Sequence, residues 1–68
     1  MKKIKIFIER DMKEFELEFD GNTVKDLLNN LNLDWSRIVV LKNGEIVTED
    51  EFINSGDYIK ILDAVSGG

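Results

Sequence analysis

Neither cysteine nor histidine occurs among the 68 residues, and proline is absent as well. Without cysteine there is no disulfide framework and no thiol nucleophile. Without histidine there is no imidazole acid–base chemistry, and the two absences together remove the usual zinc ligands. A single domain this short lies near the lower size limit for folding without staples, so its core must hold it, and 43% hydrophobic residues suffice for one. Any reaction the chain joins then uses groups supplied by a partner. Long apolar runs are also missing: Lys5, Glu9 and Arg10 interrupt the stretch after the basic Met1-Lys2-Lys3. No signal peptide or membrane-spanning helix is expected, and the natural reading is a cytoplasmic soluble protein, monomeric when free.

What is present is unevenly charged. The formal net charge is −5. Between Asn43 and Asp57 lie Glu45, Glu49, Asp50, Glu51 and Asp57 without a lysine or arginine, whereas the other end carries Lys2, Lys3 and Lys5. An acidic chain repels the phosphate backbone, so direct nucleic-acid binding is not expected. The acidic stretch either steers the protein toward a basic partner or serves as a solvated surface.

No linker, repeat or low-complexity segment is visible. Lys3 to Glu9 alternates, with Ile4, Ile6 and Ile8 opposed to Lys3, Lys5 and Phe7, and Glu14 to Phe19 alternates again, with Phe15, Leu17 and Phe19 opposed to three glutamates. Two such runs around the polar turn Arg10 to Lys13 predict a hairpin. Asp20-Gly21-Asn22 ends it, and Thr23 stands three residues before Asp26, a capping box with Asp in place of Glu. Val24, Leu27, Leu28 and Leu31 then form one stripe of a short amphipathic helix ending near Asn30 or Asn32. Arg37 to Leu41 reads as a buried strand. Asn43-Gly44 predicts a type I′ turn into a brief strand, Glu45 to Val47. Thr48 to Glu51 could cap one further helical turn carrying Phe52 and Ile53. After Ser55-Gly56-Asp57 comes a last strand, Tyr58 to Leu62. This order predicts an α+β fold of the β-grasp type: a mixed sheet, one main helix packed on one face, and the first and last strands side by side at the centre. The domain is expected over residues 1–63, with a flexible Gly-Gly tail over 64–68.

That tail, Ala64-Val65-Ser66-Gly67-Gly68, follows the last strand directly. Glycine is thin and conformationally free, so the segment suits entry into a narrow channel and leaves a terminal carboxylate unhindered. The alternative is a frayed terminus or a linker scar.

Together these residues resemble the ubiquitin-like sulfur carriers, the ThiS/MoaD-like group that includes archaeal small modifier proteins. The resemblance rests on Thr23-Val24 with Leu27-Leu28, on Leu41 to Val47 around Asn43-Gly44, on Gly56-Asp57, and on Ile59 to Gly68. It covers essentially the whole chain. It implies that an E1-like adenylating enzyme, using ATP, activates the carboxylate of Gly68, while this chain binds no cofactor and performs no catalysis itself. A sulfurtransferase or cysteine desulfurase would supply sulfur to form a thiocarboxylate. The acceptor would be an enzyme such as thiazole synthase or the large molybdopterin-synthase subunit, or a tRNA-thiolation system. Gly67, Ser66 and Val65 would form the inserted tail. Thiamine carriers place a proline where Thr48 stands, a departure that leans away from thiamine.

Two further function classes stand beside the carrier. One is a protein modifier joined through Gly68 to target lysines; the other is a plain β-grasp interaction domain. Phe7, Tyr58 and Leu62 fall opposite the isoleucines of their strands, and read either as a partner-binding patch or as an ordinary half-wet sheet. Trp35 is expected to plug the helix end, and Asp63 either meets a basic residue of the activating enzyme or serves a turn.

Overall fold

In the computed structural model, which describes residues 1–64, the chain opens with β1 (Lys2–Ile8) and β2 (Lys13–Phe19), paired antiparallel from Lys2 opposite Phe19 to Ile8 opposite Lys13. The turn between them is a 3₁₀ turn, Glu9–Asp11, closed by Met12 with φ 52°. That left-handed residue does what a glycine would more often do, its N–H donating back to the Glu9 carbonyl.

The helix α1 (Val24–Asn30) begins where the capping box predicts. Thr23 Oγ1 accepts the Asp26 N–H at 3.3 Å, and Asp26 Oδ2 accepts the N–H groups of Thr23 and Asn22 at 3.1 and 2.9 Å. These backbone donors, that of Asn22 foremost, hold the Asp26 carboxyl below the usual aspartate range. Gly21 is required here: a Cβ on it would meet the Phe19 ring at 2.5 Å.

β3 (Ile38–Lys42) and β4 (Glu45–Val47) form the second hairpin, with Asn43 at φ 52° and Gly44 at φ 89°, both positive as a type I′ turn requires. β5 (Tyr58–Asp63) runs between β1 and β3, and the sheet order is β2-β1-β5-β3-β4. The β1–β5 pair is parallel and the other three are antiparallel, giving the mixed β-grasp sheet.

Side-chain and main-chain bonds join the Asn43 turn to Gly56-Asp57. The Asn43 amide donates to Asp57 Oδ1 at 3.0 Å, its Oδ1 accepts the Tyr58 N–H at 2.9 Å, and its own N–H donates to the Tyr58 carbonyl at 2.8 Å. The Asp57 carbonyl accepts the Lys5 N–H at 3.0 Å. Two separate sequence motifs are thus one bracket that sets where β5 enters between β1 and β3.

The segment after β4 departs from its expected helical turn. The Glu51 N–H bonds the Thr48 carbonyl, closing one turn, and Phe52 then pairs as an isolated bridge with Thr23. The competing interaction is the start of α1, whose Val24 and Lys25 N–H groups donate to the Glu51 and Glu49 carbonyls at 2.9 and 2.8 Å. A helix begins with unsatisfied N–H groups, and this loop satisfies two of them with carbonyls that a continuing helical turn would use itself. Lys42 anchors the loop from β3, donating to Glu51 Oε2 at 2.8 Å and to the Phe52 carbonyl at 3.1 Å.

The core is Ile4, Ile6, Phe19, Val24, Leu27, Leu28, Ile38, Val40, Ile53, Ile59 and Ile61, all buried. Phe15, Leu17, Leu31, Leu33 and Trp35 pack against it half-buried. The helix stripe therefore meets the inward positions of β1 and β5 as the alternation predicts. β3 is buried on one face only: Ile38 and Val40 point inward, Val39 and Leu41 stay half-exposed. Leu28→Ala is expected to cost roughly 2–5 kcal/mol, read as a lower denaturation midpoint at unchanged slope. A loss under about half a kcal/mol would show that α1 does not hold the sheet through this stripe.

Candidate functional site

Two features converge at β5: the sheet face left open by α1, and the C-terminal end of the strand, five residues before Gly68. Strand register assembles the open face in rows. One row crosses the sheet as Glu14, Phe7, Lys60, Leu41 and Ile46, and a second as Glu16, Lys5 and Tyr58, with Leu62 beside Val39. The face is thus graded. Glutamates lie along β2, lysines along β1 and β5, and apolar side chains gather toward β3 and β4.

Phe7, Tyr58 and Leu62 share this face, as their strand parity predicts, and each is half-buried. The Lys60 ammonium stands 5.6 Å from the Phe7 ring centroid, within cation–π range. The Tyr58 hydroxyl donates to Glu14 Oε2 at 3.2 Å, reaching over β1, so its polar end is engaged within the domain. Val39, Leu41 and Ile46 complete the patch, Ile46 being 75% exposed. Reading Arg37 to Leu41 as buried throughout hid the first two. The hairpin register fixed by Asn43-Gly44 would have found them, since it puts Leu41 and Ile46 opposite each other on one face.

Where β5 ends, Asp63 is held by Arg10 from the turn after β1. Nε donates to Oδ2 at 3.3 Å and a terminal guanidinium nitrogen to Oδ1 at 3.1 Å. The hydrogen bond and charge of Asp63 raise the Arg10 pKa further above its ordinary value. Asp63 thus has a partner inside the domain. The β3–β5 ladder also continues one residue beyond the strand, the Ala64 N–H donating to the Arg37 carbonyl at 2.9 Å. Val65, Ser66, Gly67 and Gly68, and the flexible tail expected there, lie outside the described residues.

Among the described residues, no group of three acids is placed to hold a metal ion. The hollow lined by Met1, Lys2, Phe19, Asp20, Gly21 and Asn22 opens at the far end of β1 from the end of β5. No described helix is long and apolar enough to cross a membrane.

A profile described as the ThiS family matches residues 5–68, from the middle of β1 through both final glycines. The chain belongs to the ThiS family. An uncharacterized protein of Archaeoglobus fulgidus is 33% identical over 67 residues, covering 97% of this chain and 98% of that one. Among solved structures, SAMP1 from Haloferax volcanii superposes with a TM-score of 0.73 at 24% identity, covering 97% of this chain and 99% of that one. The thiamine biosynthesis protein ThiS from Geobacter metallireducens gives 0.66 at 21% identity, with 94% and 99% covered. At those identities the two structures establish the shared ubiquitin-like β-grasp fold. Membership itself comes from the extent of the family match.

Tyr58 offers a direct probe of the open face of this ThiS-family domain, being its only tyrosine. Partial desolvation, then the hydrogen bond and charge of Glu14, push its pKa up, because a phenolate there would lose water and face a carboxylate. A spectrophotometric titration is expected to show a midpoint above the ordinary value of about 10, with Glu14→Gln bringing it down. Identical midpoints in the two proteins would mean that the pair does not form in solution.

Proposed function

We propose that this ThiS-family chain is a sulfur carrier whose Gly68 carboxylate is activated and then converted to a thiocarboxylate. The observation that carries the reading is the reach of the family match through Gly67-Gly68: the paired glycines fall inside the family's pattern instead of trailing beyond it. The domain supplies no nucleophile–base set of its own from cysteine or histidine, since neither occurs. The chemistry accordingly belongs to partners, and the carrier presents a substrate terminus on a stable base.

A carboxylate is a poor electrophile because its leaving group would be an oxide. In the proposed sequence an oxygen of Gly68 attacks the α-phosphorus of ATP, pyrophosphate departs, and the carbonyl becomes a mixed anhydride with AMP. The enzyme for this step is E1-like. A sulfur nucleophile then adds to the same carbon and expels AMP with one carboxyl oxygen. If that nucleophile is a persulfide from a sulfurtransferase or cysteine desulfurase, a second thiol cleaves the S–S bond. That thiol is oxidised to a disulfide as the thiocarboxylate is released. Acceptors of the kind represented by thiazole synthase, the large molybdopterin-synthase subunit or a tRNA-thiolation enzyme would consume it. Glycine at 67 keeps side chains away from the reacting carbon, and Ser66 and Val65 complete the segment that enters the enzyme.

The open face is the proposed docking surface for the activating enzyme and the acceptor, anchored by Phe7 and Leu62 with Tyr58 at its polar side. Such surfaces concentrate their energy in a few apolar anchors. Replacing Phe7 and Leu62 together with Ala is expected to weaken binding to both partners at least tenfold while the cooperative unfolding transition persists. Unchanged affinity for both partners would remove the face from the reading.

The terminus is tested by pairing the chain with its cognate activating enzyme, ATP and a sulfur source. Pyrophosphate release and the intact mass are followed, the mass also checking that Gly68 ends the chain. A gain of one sulfur for one oxygen is expected. Deleting Gly68, or extending the chain past it, should abolish the reaction and leave the fold intact. Turnover that survives the deletion would refute the carrier reading. A mass corresponding to amide linkage through Gly68 to a target lysine would instead assign the chain as a protein modifier.

A further inference from the structure

The end of β5 is tied to two different elements, and the proposed chemistry uses neither tie. One is the backbone bond from Ala64 to the Arg37 carbonyl. The other is the Arg10 fork on Asp63, which joins residues 53 positions apart through both carboxylate oxygens. Arg10 reaches Asp63 because the 3₁₀ turn, closed by left-handed Met12, projects beside the C-terminal end of β5. A planar guanidinium with two donors on two oxygens restricts direction as well as distance, which a lysine ammonium does not.

We propose that Arg10 is a positioning residue for the reaction at Gly68: its fork on Asp63 fixes the root of the C-terminal segment, and with it the direction in which that segment enters the activating enzyme. This rests on the sulfur-carrier reading. Gly68 is the fifth residue after Asp63, so its Cα lies within about 17 Å of the root whatever path the chain takes. A root free to peel from β3 would multiply the orientations of that short reach, and each must be given up on entry. The side chains of Arg10 and Asp63 are 56% and 38% exposed. An exposed pair of this kind adds little to folding stability. Removing it therefore leaves the domain folded, so that an effect on turnover can be read without unfolding.

Two measurements on the full chain test this. The first is amide exchange at Ala64, which Arg10→Ala is expected to speed roughly two- to fivefold, the range open to an exposed Arg–carboxylate pair, with Ile59 and Ile61 unaffected. The second is kcat/KM for pyrophosphate release with the cognate activating enzyme, expected to fall by a similar factor, again roughly two- to fivefold. Arg10→Lys should recover only part of the loss, and the exchanged pair Arg10→Asp with Asp63→Arg should recover most of it. Chains ending at Ala64 should bind the enzyme equally well with and without Arg10→Ala, because the fork acts through the missing segment. An unmoved Ala64 exchange rate or an unmoved kcat/KM would overturn the proposal. So would faster turnover in Arg10→Ala beside slower turnover in Asp63→Asn, which would assign Asp63 to the enzyme. If the unaltered chain releases no pyrophosphate, the carrier reading fails, and the exchange rate alone still decides whether Arg10 holds the root.

Discussion

The parallel pairing of β1 with β5 is the constraint from which the rest of the domain follows. Parallel neighbours cannot be joined by a tight turn, so everything between them, from the first 3₁₀ turn to Gly56, is a connection. That connection has to cover one face of the sheet, which α1 does with Val24, Leu27 and Leu28, and has to supply β5 with a neighbour on its other side, which β3 does. Its closing step is the bracket between Asn43 and Asp57. The bracket fixes the register of the last strand against both neighbours, Asn43 on the β3 side and the Asp57 carbonyl on the β1 side.

Much of this was visible in the residue pattern, because period-2 alternation and a 3.6-residue stripe are local signals that agreed with each other. Ile4, Ile6, Ile59 and Ile61 face α1 for that reason. The parts that escaped depend on partners remote in sequence. Thr48 to Ile53 has helix-cap residues, but it makes a single turn, and its Glu49 and Glu51 carbonyls accept the N–H groups of Lys25 and Val24. Val39 looks like its buried β-branched neighbours, and its outward side follows from the register of the second hairpin, which sets Leu41 opposite Ile46. Asp63 read either as a contact for the activating enzyme or as a turn residue, and its engagement by Arg10 has no signature at all in a linear reading of residues 53 apart. The site followed the same division. The shared face of Phe7, Tyr58 and Leu62 was readable from parity, whereas the patch formed with Leu41 and Ile46 required the register of a second hairpin.

The open face separates charge from apolar surface by strand. β2 is a sheet edge, where glutamates at positions 14, 16 and 18 oppose edge-to-edge association while pairing across to Lys3 and Lys5. The interior strands β5 and β3 have no edge to guard, and their outward positions can carry Leu62, Val39 and Leu41. The gradient from acid to apolar across one sheet is thus compatible with a soluble fold and a localized contact surface at once.

The parallel pair also decides how the domain meets mechanical load. Lys2 opens β1 and Asp63 closes β5, so the two points lie at opposite ends of strands that run the same way. A pull between them acts along the strands and shears the Lys5–Ile8 and Tyr58–Ile61 ladder, loading its bonds together. Along that line the ladder offers no free end from which β5 could unzip one bond at a time.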